Sequence, residues 1–176
     1  MSHQIFNKDM AFAYLEMLEK QGEFPHCIWP EHCIIGTYGC AIDTMINGAL
    51  REWVLGGSDA RFVNYINKGT HPMTEHFGAF KAQVAIQGVK ESSVNIELID
   101  SLNRYDVIYL AGQAKSHCVA NSLKQIMDLA PVVAKKFVVL EDTMSNVPGF
   151  ETLADPIYNK AKEEGIRFTT TTEEIL

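Results

Sequence analysis

Residues 107–111, Val-Ile-Tyr-Leu-Ala, form a continuous apolar run that is entered from Asp106 and ended by Gly112. That is the pattern of a short strand buried on both faces. A helix is predicted at once after it, because Val119, Leu123, Ile126 and Met127 recur at helical spacing and Ser116 stands where an N-cap is expected. Cys118 therefore falls in the first turn of a helix that opens just past the carboxyl end of a strand. Unpaired backbone N–H groups and the positive end of the helix dipole stabilise negative charge on a sulfur at that place. Parallel α/β sheets collect their sites along the same edge. The competing reading is a structural role, since a free cysteine is among the most buried residue types.

The rest of the chain repeats this alternation. A helix is predicted over residues 8–20, capped by Asn7, with Tyr14, Leu15 and Leu18 on one face. Gly22, Pro25 and Pro30 then break the chain into a loop carrying His26, Cys27, Trp29, His32 and Cys33. After Gly39, Ile42, Met45, Ile46, Ala49, Leu50, Trp53 and Val54 make one apolar stripe ended by Gly56-Gly57, which reads as a core helix. Residues 61–66 read as a short strand delivering Asn67-Lys68-Gly69 to the edge where Cys118 sits. A loop over 70–80, a helix over 94–102 with Ile99 and Leu102 inward, and a strand over 137–140 ended by Glu141-Asp142 follow. Pro148-Gly149 turns the chain into a helix over 151–164, and Gly165 precedes a last strand at 166–169. Strands alternating with helices predict a three-layer α/β/α fold with a mostly parallel sheet, in one domain over residues 1–176.

Charge narrows the partners. A net charge of −7 without a Lys/Arg cluster argues against nucleic acid or an anionic membrane as the main partner and favours a small soluble molecule. No apolar stretch is long enough to span a bilayer and no basic segment leads into an apolar one at the start, so the cytoplasm is the expected compartment. Cys27, Cys33, Cys40 and Cys118 are expected as free thiols, because a chain of this size needs no staples. The His and Cys residues between 26 and 33 match none of the common structural zinc spacings. Nothing in the pattern decides between a monomer and a homo-oligomer.

Three segments in order carry a family resemblance. Gly112-Gln-Ala-Lys-Ser-His-Cys-Val119 resembles the nucleophile loop of the isochorismatase-like cysteine hydrolases, especially larger members related to nicotinamidase. Trp29-Pro-Glu-His-Cys-Ile-Ile-Gly-Thr-Tyr-Gly39 resembles a Trp-Pro-x-His-Cys segment of that family and the Gly-Thr-x-Gly after it. Asn67-Lys-Gly69 with Thr74-Glu-His-Phe-Gly-Ala-Phe80 resembles its Lys-Gly segment and following Tyr-Ser-x-Phe turn. The departures are Phe77 for Tyr, Gly78 for Ser, and polar Gln113 where an aliphatic residue is usual.

The resemblance implies a small amide substrate, nicotinamide first of all, hydrolysed to nicotinate and ammonia as in NAD salvage. Cys118 would be the nucleophile and Lys68 the cation that assists it. The backbone N–H groups of Ala114 and Cys118 would bind the oxyanion, with a cis peptide at Gln113–Ala114 aiming the first. Trp29 and Phe77 match aromatic positions against the substrate ring. His32 matches one of three ligands, two His and one Asp, to a divalent metal, zinc foremost. His117 is not expected to serve as base, since adjacent residues at a helix start point about 100° apart.

The same resemblance places the family's catalytic Asp and its Asp-x-His metal segment before residue 1, because His3-Gln-Ile-Phe6 resembles the sequence just after that segment. The fold is accordingly expected N-terminally incomplete, lacking its first two strands, with apolar sheet edges left open and weak or absent metal binding. Lys68 Nζ and Cys118 Sγ should still lie a few ångströms apart if the family's spacing is kept. Two other functions remain open on the sequence: hydrolysis of another amide or carbamate, such as an N-carbamoyl compound or a ureide, and a catalytically incomplete interaction module.

Overall fold

The computed structural model describes residues 8–24 and 26–174. The expected cap Asn7, the segment from His3 to Phe6 and the helix-breaking Pro25 lie outside the described residues. The helices are α1 (Lys8–Lys20), α2 (Thr44–Leu55), α3 (Ile96–Leu102), α4 (Ala120–Leu129), α5 (Pro131–Ala134) and α6 (Asp155–Glu163). The strands are β1 (Ile108–Leu110), β2 (Phe137–Leu140) and β3 (Arg167–Thr169). Contacts divide the chain into two units, one made of Met1–Glu23 with Lys68–Leu176 and one of Phe24–Asn67.

The first unit is built on a parallel sheet of order β1-β2-β3. Ile108 pairs with Phe137 and Leu110 with Val139, while Val138 pairs with Arg167 and Leu140 with Thr169. All four residues of β2 are buried, as the centre of a sheet covered on both faces requires. Leu123, Ile126 and Met127 of α4, Val133 and Ala134 of α5, and Tyr158 and Ala161 of α6 are buried with them. The parallel α/β alternation expected from the sequence is what forms, with helix α5 added and α6 beginning four residues later than expected, at Asp155.

Two strand expectations are corrected. β1 is an edge strand, with Val107 45% and Tyr109 39% exposed, so the apolar run at 107–111 is not buried on both faces. Its only ladder neighbour among the described residues is β2. Residues 61–66 form no strand, because extended backbone becomes a strand only against a hydrogen-bonded neighbour and none of the described residues supplies one.

The second unit holds α2. Asp43 caps it, its carboxylate accepting the N–H groups of Met45 at 2.9 Å and Ile46 at 3.3 Å, which leaves Ile42 outside the helix. The stripe predicted as core is not buried: no residue of α2 is, and Met45 is 83% and Ile46 56% exposed. Among the described residues this unit has no second α-helix or strand, so no regular element of its own covers that stripe, and Trp53 instead carries the Arg61 guanidinium 5.4 Å from its ring centroid.

Candidate active site

The loop after β1 sets the cysteine. Gly112 adopts φ +132°, which an L side chain rarely tolerates, and the Gln113–Ala114 peptide is cis. Ala114 then opens a π-helical turn, Lys115–Val119, that runs into α4. The carbonyl of Ala114 accepts from the N–H of His117 at 3.1 Å and of Val119 at 3.2 Å, passing over the N–H of Cys118 between them. A π turn of this kind is often found where a helix must aim a functional group. Ser116 does not cap the helix, as the sequence predicted; it lies inside the turn, fully buried, and its Oγ accepts from the N–H of Val147 at 3.0 Å. Lys115 N–H donates to Ser145 O at 2.9 Å and Tyr158 Oη–H donates to Lys115 O at 2.8 Å. The loop that carries Cys118 is thus tied to the segment that follows β2 and to α6. Burial raises the Tyr158 phenol well above its ordinary pKa, which keeps it a hydrogen-bond donor.

Lys68 reaches this turn from 50 residues away in sequence. Its Nζ lies 3.5 Å from Cys118 Sγ and donates to the carbonyl of His76 at 2.9 Å. Among the described residues Lys68 makes no ion pair with a carboxylate. The Asp142 carboxylate, at the carboxyl end of β2, is engaged elsewhere. It accepts both the N–H and the hydroxyl of Thr171, and these bonds hold its pKa below the ordinary carboxylate value.

His117 is turned to other partners. Its ring stands edge-on to Phe150, with centroids 5.0 Å apart, and its Nδ1 is 2.9 Å from Ser116 Oγ. Burial lowers its pKa from the ordinary 6.5.

Phe77 belongs to the same unit as Cys118 and Lys68, half-buried, with its N–H donating to Gln83 Oε1 at 3.2 Å. Trp29 and His32 belong to the unit Phe24–Asn67. His32 Nδ1 is 2.6 Å from the carbonyl of Pro30, and Trp29 is 43% exposed. Among the described residues no three His, Cys, Asp or Glu side chains converge as a metal would require, so they do not assemble a two-His, one-Asp set around His32.

Sequence reasoning missed three residues beside the site: Ser122, Gln125 and Gln83. Gln125 and Gln83 are only 2% and 3% exposed. Gln125 falls among the apolar positions of α4, and a polar side chain there is the sole signal the sequence offers, because its partners are over 40 residues away. A long-range amide clamp of that kind has no local pattern.

No protein-family model and no curated protein matches the chain. Solved structures do. A nicotinamidase/pyrazinamidase of Acinetobacter baumanii matches with a TM-score of 0.57 at 21% identity, over 84% of this chain and 61% of that one. The yeast nicotinamidase Pnc1p, solved with the inhibitor nicotinaldehyde, matches with a TM-score of 0.57 at 15% identity, over 83% of this chain and 60% of the other. A pyrazinamidase of Pyrococcus horikoshii, solved with zinc, matches with a TM-score of 0.51 at 17% identity, over 92% and 83%. The chain spans about three fifths of the length of the first two. With its parallel sheet and helical layers superposing on these enzymes, the chain has the isochorismatase-like, nicotinamidase-related α/β fold.

Proposed function

We propose that the protein is a cysteine hydrolase of small carboxamides, with nicotinamide as the first substrate to test and Cys118 as its nucleophile. The observation that carries this reading is the 3.5 Å contact between Lys68 Nζ and Cys118 Sγ, formed at the head of a helix that follows the carboxyl end of β1. The fold shared with nicotinamidases supports it.

In the proposed reaction the Cys118 sulfur attacks the amide carbon, forming a C–S bond while the carbonyl π pair moves to oxygen. The N–H groups of Ala114 and Cys118 receive that oxyanion. The Lys68 ammonium first holds the thiolate and then gives its proton to the departing nitrogen as the C–N bond breaks and ammonia leaves. Water next adds to the thioester, and breakage of the C–S bond returns the thiolate and yields the carboxylate, with one water proton restoring the ammonium of Lys68 and the other passing through solvent to the released ammonia. Phe77, in the same unit as Cys118 and Lys68, is the proposed contact for an aromatic substrate ring.

Ammonia release by the full chain tests this, using nicotinamide, pyrazinamide, an N-carbamoyl amino acid and a ureide in parallel. The expected result is release from at least one compound, with nicotinamide the best, and loss of release in Cys118→Ala. No release from any of them, or equal release by Cys118→Ala, would overturn it.

A further inference from the structure

Lys68 has no ion-pair partner among the described residues, and its backbone runs through an exposed segment without helix or strand. Its ammonium is nevertheless held beside one sulfur. What fixes it is the carbonyl of His76, and what fixes that carbonyl is the turn that follows it.

Residues 76–83 lie on helix α4 through amide and hydroxyl contacts. Gln125 Oε1 accepts from the N–H of Phe80 at 3.0 Å and of Lys81 at 3.3 Å, and its Nε2 donates to Lys81 O at 3.0 Å and to Gln83 Oε1 at 3.1 Å. Gln83 Oε1 in turn accepts from the N–H of Phe77, next to His76, at 3.2 Å. Ser122 Oγ accepts from Ala79 N–H at 3.1 Å and donates to the carbonyl of Cys118 itself at 2.7 Å. Gly78 permits the close approach, since a Cβ there would overlap the Gln125 carboxamide and come 3.0 Å from the Asn121 carbonyl carbon. The His76 ring adds a second anchor, with Nε2 3.0 Å from Glu91 O.

Ser122 and Gln125 stand four and seven residues after Cys118, on the helix face that carries the nucleophile. One end of this clamp is therefore on the element that holds the sulfur, and the other is on the turn that holds the ammonium. We infer that Gln125, with Ser122, is the positioning residue that sets the separation of Lys68 and Cys118, making the buried amide on α4 part of the machinery that activates the thiol. This rests on the proposed role of the Lys68–Cys118 pair and extends it.

The test is the second-order rate of Cys118 alkylation by iodoacetamide across pH 6–10, read by peptide mass spectrometry on the full chain. Lys68→Met is expected to slow alkylation at pH 7 by roughly tenfold, with the difference from wild type closing as pH rises. Gln125→Leu should slow it in the same pH-dependent way, and should add nothing further when combined with Lys68→Met. A purely structural role for Gln125 would lower the urea midpoint without that pH profile, and would slow or speed alkylation equally in the Lys68→Met background. Ser122→Ala, which removes one link of the clamp, serves if Gln125→Leu does not fold, and the same non-additivity with Lys68→Met is expected of it. If Lys68→Met itself leaves Cys118 unchanged, the pair is not functional and the proposed hydrolase mechanism falls. If Lys68→Met slows alkylation but Gln125→Leu, or its substitute, does not, only the positioning role is overturned.

Discussion

Cys118 is one of four free thiols, and it alone sits in a helix-opening turn with an ammonium 3.5 Å away. Cys33 and Cys40 are more exposed, so access alone would make them react first. At pH 7, limiting iodoacetamide is expected to label Cys118 at least about tenfold faster than any of the others, because the thiolate is the reacting form. Equal labelling of all four would contradict this. The neighbouring His117 carries a second, independent expectation. Burial holds its pKa below 6.5, so the folded state favours the neutral ring and the unfolded state takes up a proton first as pH falls. The stability this contributes is present above about pH 6.5 and is lost as pH drops through the lowered folded value. Urea midpoints of wild type and His117→Leu should therefore differ more at pH 7.5 than at pH 5; a difference independent of pH would remove the argument. At this scale the sequence was legible where chemistry was local. Cys118 could be placed after an apolar run and a glycine, whereas Lys68 was singled out only by the family resemblance, and Gln125 and Ser122 bond to backbone more than 40 residues distant and show only as polar interruptions.

The elements divide in the same way. β2, bounded by 137–140, and α1, bounded by 8–20, form where hydrophobic periodicity put them, since both signals are contained within the segment. Residues 61–66 have the composition of a strand and form none, because strand formation depends on a neighbour that composition does not encode. The α2 stripe likewise predicted a helix and a burial, and only the helix is intrinsic to the segment. The turn over 76–83 illustrates the reverse, an irregular segment with strong tertiary definition: Phe80, Ala82 and Gln83 are all 4% exposed or less. Gly78→Ala is expected to destabilise the first unit by about 1–3 kcal/mol, because the added methyl meets the Gln125 carboxamide and the α4 backbone. Urea unfolding followed by the tryptophan-independent far-UV signal checks it, and an unchanged midpoint would show that the turn does not rest on α4 as described.

For the whole molecule, fold class was legible because alternation of strand and helix permits few architectures, and the order β1-β2-β3 follows chain order with parallel crossovers. Burial across the molecule was not, as Tyr109 on the edge strand and Met45 on α2 show: each reads as core from its neighbours in sequence and is exposed. The functional account rests on one contact that spans the first unit, and the most direct measurement is chemical. The full chain is mixed with nicotinamide, quenched in acid within the first turnovers, and digested for mass spectrometry. The account predicts a nicotinoyl mass on the peptide containing Cys118, none on Cys27, Cys33 or Cys40, and a marked loss of that adduct in Lys68→Met. A nicotinoyl group absent from Cys118, or present equally on the other thiols, would contradict it.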